Sequence, residues 1–286
     1  MVSEVETVLD ATSRDVSYTH QDFERITELL CEVSGIRMPG TNEALVYSRL
    51  AKRIRKLNLS TFADYVTLVG QDLDERTYMI EALTTNTTRF FREEYHFEIL
   101  ERELLNHLAE NAKRGGRIRL WSAACSSGEE PYSMAAVILR SFPQAARYDF
   151  RILATDIDRS VLSFAQEGRF EKQKLGDLNA EIKKMLFDSQ EDEKGGLSIR
   201  KDLQSLISFR YLNFMEPWPV RGPFDAIFCR NVMIYMEEST QNRVFSSLID
   251  VLRPGGVLFI GHSERISGAC RNQLEMIGKT AFRRVK

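Results

Sequence analysis

Residues 117–142 read RIRLWSAACSSGEEPYSMAAVILRSF, and the period of the pattern changes midway. The first eight letters form a short apolar run of the kind a buried strand needs. From Gly128 onward the pattern is helical, with Pro131 in the first turn, where its missing N–H costs nothing. Towards the C-terminus FRILATD (150–156) repeats the strand signal and 159–166 the helical one. Further strands are expected at 207–212, 224–229 and 257–261, with a helix at about 238–252 before the last. Strand alternating with helix means βαβ units and a largely parallel sheet, so 115–286 reads as an α/β domain. An apparent helix at 179–187 and a hairpin strand beside Gly195-Gly196 interrupt that alternation and predict a small inserted β subdomain at about 168–206.

Towards the N-terminus no β-type alternation occurs before residue 115. Phe23, Ile26, Leu30 and Val33 share one helical face, with Gly35 as the C-cap. Further helices are expected at 42–57, 61–69 and 74–83, giving an all-helical domain over 18–85. Residues 1–17 lack periodicity and read as a flexible tail. Between the domains, 86–114 reads as a linking segment followed by a helix with Phe97, Leu100, Leu104 and Leu108 on one side.

The chain has 286 residues, 43% hydrophobic and 28% charged, enough for two real cores and far from a disordered composition. Its 39 Lys+Arg against 41 Asp+Glu leave a net charge of −2, which excludes bulk-charge attraction to nucleic acid or an anionic membrane. No run is long and apolar enough to span a bilayer, and the acidic N-terminus is no signal peptide. The cysteines at 31, 125, 229 and 270 form no CxxC, and the four histidines show no ligand spacing, so neither a disulfide framework nor a metal site is expected. Cys125 and Cys229 read as small buried fillers. A reduced, cytoplasmic, monomeric protein is expected.

In an open parallel sheet, ligands bind beyond the carboxyl ends of the strands, where strand order reverses. The candidates are therefore the loop 123–131, then Asp156, then Asn213-Phe214, then Arg230-Asn231. The loop is not GxGxxG, and Glu129-Glu130 at its helical end would repel a pyrophosphate. An acidic loop opposite an acidic strand end suits a cationic, hydroxyl-rich ligand such as S-adenosylmethionine. In that reading Asp156 accepts from ribose, Glu130 takes an amino or hydroxyl donor, and Phe214 flanks adenine.

The runs LTTNTTRFFRE (83–93), WSAACSSGEEPYS (121–133), ATDID (154–158), PFDAIFCRNVMIY (223–235) and LRPGGVLFIGHSE (252–264) resemble the CheR family of chemotaxis receptor methyltransferases. The resemblance runs from about residue 20 to the end. It implies a Rossmann-like methyltransferase sheet dependent on S-adenosylmethionine, preceded by a helical domain, and it implies O-methylation of receptor glutamates. It also implies cofactor contacts at Asn86, Thr88, Arg92, Glu130, Asp156, Asn213, Phe214, Arg230 and Asn231, with Arg92 and Tyr235 facing the methyl-transfer centre. Arg92 and Tyr235 would hydrogen-bond either the substrate carboxylate or the methionine carboxylate of the cofactor. The absence of an NPPY-type turn at 230–233 argues against amide methylation.

From Ala44 to Asn58 there are five cations and no acids. On a helix, Arg49, Lys52, Arg53 and Lys56 form a stripe beside Val46, Leu50, Ile54 and Leu57. Given the resemblance, the stripe is expected to dock on the acidic cytoplasmic helices of the receptor, recruiting the protein to membrane receptor arrays. A nucleic-acid methyltransferase would instead bind RNA or DNA in a salt-sensitive way, and a pure S-adenosylmethionine sensor would not need Arg92 and Tyr235. In some members of the family the inserted subdomain captures a receptor tail peptide by strand addition. Here three acids (191–193) stand where a glycine-rich turn is expected, so no such tether is predicted.

Overall fold

The structure, a computed structural model, describes residues 16–285 apart from 177 and 194. Two compact units meet in sequence between Leu83 and Thr84. Of the tail expected at 1–17, residues 1–15 lie outside the described residues. Val16 and Ser17 are already part of the fold: Val16 is buried, and Ser17 exchanges backbone hydrogen bonds with Ser60 and Phe62.

Among the described residues the first unit holds four α-helices, α1 (His20–Ser34), α2 (Glu43–Lys56), α3 (Phe62–Gln71) and α4 (Leu73–Leu83), with a 3-10 turn (Gly40–Asn42) before α2. Thr19 starts α1 through a reciprocal capping box with Asp22, and Gly35 ends it in the left-handed region at φ 74°. Thr61 caps α3 through Asp64 N–H. Phe23, Ile26, Leu30, Val46, Leu50 and Ile54 are buried as expected, whereas Val33 and Leu57 are only partly so.

The second unit begins with the segment 84–94. It continues through α5 (Tyr95–Leu100), a π-helical turn (Glu101–Leu105) and α6 (Asn106–Lys113). Phe97, Leu100, Leu104 and Leu108 of these helices are packed into the core of this unit, so 86–114 belongs to the sheet domain and is not a spacer. Next come β1 (Ile118–Ala123), α7 (Glu129–Ser141), β2 (Phe150–Asp156) and α8 (Arg159–Glu167). The inserted subdomain follows with β3 (Arg169–Glu171), α9 (Ala180–Leu186), β4 (Phe187–Glu191), β5 (Gly196–Ile199) and α10 (Lys201–Gln204). The main alternation resumes with β6 (Ile207–Tyr211), β7 (Phe224–Cys229), α11 (Glu238–Val251) and β8 (Leu252–Ile260). It ends with α12 (Gly268–Arg271), β9 (Leu274–Gly278) and β10 (Ala281–Arg284).

The main sheet has seven strands in the order β6-β2-β1-β7-β8-β10-β9, with the first five parallel and the last two antiparallel. Every residue of β7 is buried, as a central strand covered on both faces requires. The chain builds outward from β1 through β2 to β6, then returns to lay β7 on the other side of β1. The switch point therefore lies between β1 and β7, where Ala123 pairs with Cys229. The antiparallel pair β9 and β10 adds strands that sequence analysis did not anticipate.

The inserted sheet has the order β3-β5-β4. The hairpin strand expected beside Gly195-Gly196, β5, is central, and β3 and β4 are the edges, β4 with an irregular register between Phe187 and Glu191. Two of the three acids in the turn region are neutralised internally, Glu191 by Lys172 and Asp192 by Arg169. Repulsion of an acidic peptide is thus weaker than the sequence implies.

Candidate functional site

The β1–α7 loop turns through left-handed residues at Ala124, Ser126 and Gly128. Glycine is required at 128, where φ is 97° and an added Cβ would stand 2.9 Å from Ala165 Cβ. The loop is tied to β2 by Cys125 N–H on Thr155 O (2.9 Å) and by Ser126 N–H on Asp156 Oδ2 (2.8 Å). Asp156 also accepts from Asp158 N–H at Oδ1 (3.0 Å). Its carboxylate is buried among backbone donors, with no cation paired to it among the described residues, and burial pushes it up to about 6. The backbone of Ile157 donates to it as well, and three backbone donors leave part of the roughly four-site acceptor capacity of a carboxylate unfilled. Asp158 differs. Its Oδ1 caps α8 through Ser160 and Val161, and its Oδ2 accepts from Asn86 Nδ2 (2.7 Å) and Thr84 Oγ1 (3.2 Å). Ser126 Oγ closes the same corner by donating to Asn86 O (2.9 Å).

A second cluster lies at the ends of β1 and β7. The Arg230 side chain, 2% exposed, donates to Glu130 Oε2 (2.9 Å) and to the carbonyl of Arg92, with Glu93 Oε2 3.4 Å away. Glu130 accepts from Ser122 Oγ at its other oxygen (2.7 Å). Burial raises the Glu130 carboxyl, and Arg230 opposes that rise. Glu93 is also desolvated, yet His262, Arg230 and Asn231 outweigh burial and hold it at about 2. Asn231, at φ 59°, donates from Nδ2 to Glu93 Oε1 (3.1 Å). Tyr235 ends a short 3-10 turn (Met233–Tyr235) and is partly exposed. That turn is pinned by Glu264, whose Oε1 accepts from Val232 and Met233 N–H at 2.8 Å each.

Thus Asn86, Glu130, Asp156, Arg230 and Asn231 gather at the carboxyl ends of β1, β2 and β7. Arg92 joins them through its backbone, while its guanidinium donates to Thr87 O (2.9 Å). Thr88 stands partly exposed in the same segment. Asn213 is buried after β6 and accepts from Met215 N–H, and Phe214 leans on Trp218 at 5.5 Å. Glu93 and Glu264 were not singled out from sequence. Both close motif runs quoted above, FFRE and GHSE, but neither sits at a strand end, where an open α/β sheet places its ligand contacts. Cys125 and Cys229 are buried, with thiols pushed well up by desolvation. Among the described residues no group of three or more His, Cys, Asp or Glu is placed to hold a metal ion.

The cationic stripe of α2 divides. Arg53 grips the buried Glu75 through Nε at 3.0 and 3.1 Å and lies 4.3 Å over the Tyr78 ring. Tyr65 OH donates to the same carboxylate (2.9 Å), and Arg49 donates to Ala82 O (3.2 Å). Arg49 and Arg53 are therefore held by their own domain, contrary to the expected uniform docking face. Lys52, Arg55 and Lys56 remain exposed.

The donor set fits S-adenosylmethionine. Asp156 offers unsatisfied carboxylate directions for hydroxyl donors. The acidic start of α7 and the single glycine of its loop disfavour a pyrophosphate and tolerate a sulfonium or ammonium.

Residues 86–283 match the family model described as CheR methyltransferase, SAM binding domain, and residues 21–84 match that described as CheR methyltransferase, all-alpha domain. A probable chemotaxis protein methyltransferase of Rhizobium etli is 44% identical over 254 residues, covering 87% of this chain and 94% of the relative. Chemotaxis protein methyltransferase 2 of Pseudomonas aeruginosa is 37% identical, covering 94% and 95%. The chemotaxis protein methyltransferase of Escherichia coli is 36% identical, covering 96% and 94%. With both halves matched and relatives aligned almost end to end, the chain belongs to the CheR methyltransferase family, an S-adenosylmethionine-dependent methyltransferase behind an all-helical domain.

Proposed function

We propose that this protein methylates glutamate side chains on the cytoplasmic helices of chemoreceptors, forming glutamyl methyl esters for chemotactic adaptation. The observation that carries the reading is the near full-length likeness to chemotaxis protein methyltransferases, with Glu93, Glu130, Arg230 and Asn231 of the motif runs joined at the carboxyl ends of β1 and β7. No described helix is long and apolar enough to cross a membrane, so receptor arrays would be reached by docking.

S-adenosylmethionine, when bound, supplies an activated methyl group on a sulfonium. Asp156, Asn213 and Phe214 at the ends of β2 and β6, with Asn86 and Thr88, would hold it on one side. Glu130, Arg230 and Asn231 at the ends of β1 and β7 would hold it on the other. A glutamate carboxylate has an ordinary pKa near 4.3 and is already an anion at neutral pH, so no residue has to act as general base. Charge is neutralised on the way to the transition state, and strong clamping of both charges would favour the ground state instead. Orientation is what the protein contributes. Arg92 and Tyr235 supply it by hydrogen-bonding a carboxylate at the transfer centre. Lys52 and Lys56, the outward members of the stripe, meet the acidic receptor helices.

The test is transfer of labelled methyl groups to receptor-containing membranes, followed by base. Volatile labelled methanol is expected, because only an ester releases it. Base-stable label would overturn glutamate as the acceptor.

A further inference from the structure

We propose that Glu93 is a positioning residue for this site, acting by fixing which end of the Asn231 amide is presented to a ligand. The inference rests on the reading of Asn231 as a cofactor contact. Glu93 follows Arg92 in a left-handed conformation (φ 58°), and Phe91 on the other side of Arg92 is left-handed too (φ 53°). Non-glycine residues stay in that region only where their surroundings hold them.

The surroundings here converge on one carboxylate. Oε1 of Glu93 accepts from Asn231 Nδ2 (3.1 Å) and pairs with His262 Nδ1 (3.0 Å). Oε2 accepts from Tyr95 OH (3.2 Å), with Arg230 Nη2 at 3.4 Å and His96 Nδ1 at 3.6 Å. Beyond Arg230 stands Glu130, so Arg230 keeps a second anion whatever happens at Glu93. The segment bearing Arg92 is thereby fastened to the ends of β7 and β8.

An ionised carboxylate only accepts hydrogen bonds. Asn231 must therefore turn its amide N–H towards Glu93, which leaves Oδ1 with no hydrogen bond to a described residue. An acceptor is what the ammonium or hydroxyl groups of S-adenosylmethionine require, and a donor there would be mismatched. With an amide at 93 the constraint is lost, because that group both donates and accepts.

Calorimetric titration of S-adenosylhomocysteine into three variants tests this, with thermal denaturation as the check on folding. Asn231→Gly, which suits the left-handed backbone, is expected to weaken binding about tenfold. Glu93→Gln is expected to weaken it about fivefold with little loss of thermal stability. The swapped pair Glu93→Gln with Asn231→Asp restores donor facing acceptor and leaves an oxygen outward, so its affinity should return to within about threefold of wild type. A purely structural role for Glu93 would not give that recovery. Unchanged binding in Asn231→Gly overturns the site assignment and the proposal together. Weakened binding there with wild-type binding in Glu93→Gln overturns the positioning role alone. Loss in Glu93→Gln without recovery in the swap overturns the amide orientation as its mechanism. Should Glu93→Gln alone fail to fold, the swapped pair decides the matter by the same threefold criterion.

Discussion

Two buried carboxylates, one in each unit, look alike in sequence and differ in how completely they are partnered. Glu75 of the helical unit is gripped by Arg53 and receives the Tyr65 hydroxyl, so its charge is balanced and its oxygens are filled. Asp156 at the end of β2 receives backbone N–H groups, faces no cation, and is pushed up to about 6 by burial. The first is a closed ion pair that holds helices together. The second is a destabilised group with acceptor directions to spare, at the place where an open α/β sheet takes its ligand. In this pair, completeness of partnering, more than burial, separates scaffold from site.

The comparison breaks first at Glu75. Glu75→Gln strands Arg53 and is expected to cost about 3 kcal/mol by chemical denaturation, with S-adenosylhomocysteine affinity unchanged. A neutral outcome would mean that the pair is ornamental. Asp156 should behave in the opposite sense with pH. Its folded pKa is raised above the unfolded value, so the native state holds the proton more tightly. The stabilisation this gives is full below the ordinary carboxylate value and lost as pH rises through about 6, up to about 3 kcal/mol. Subtracting the stability profile of Asp156→Asn from that of wild type, between pH 4 and 7, should isolate that slope. A flat difference contradicts the assigned environment.

Tyr235→Phe sharpens the contrast within the site. Turnover on receptor should fall about tenfold, with S-adenosylhomocysteine affinity preserved where the hydroxyl serves the substrate carboxylate and lowered where it serves the methionine carboxylate. Full activity would return Tyr235 to a packing role. Lys52→Glu with Lys56→Glu should lower receptor methylation about three- to tenfold at low salt, and wild-type activity should itself be salt-sensitive. Arg53 is left out of that pair because reversing it would confront Glu75 and confound docking with stability. The smallest effect is expected from the receptor tail. A tail peptide should bind no tighter than weakly, and receptors lacking it should be methylated about as well as those with it. Low micromolar binding, lost on disrupting the free edge of β4, would show that the tether is used.

Much of this was legible from residues. The βαβ alternation, the helical first unit, the switch-point loops and the insertion all follow from local periodicity, because hydrophobic period is a local signal. The pair β9 and β10 escaped it: these strands lie at the sheet margin, Met276 is exposed, and their faces do not alternate cleanly. The split of the α2 stripe was invisible for a different reason. Arg53 finds Glu75 twenty-two positions away on another helix, and no local pattern records that. Glu93 and Glu264 are legible only once the turns they pin are known.

The most direct measurement is calorimetric titration of S-adenosylhomocysteine into Asp156→Ala at neutral pH, beside Glu75→Gln as the control. The account predicts a ten- to hundredfold loss of affinity in Asp156→Ala, about 1.5–3 kcal/mol, and none in the control. Wild-type affinity in a folded Asp156→Ala would contradict it.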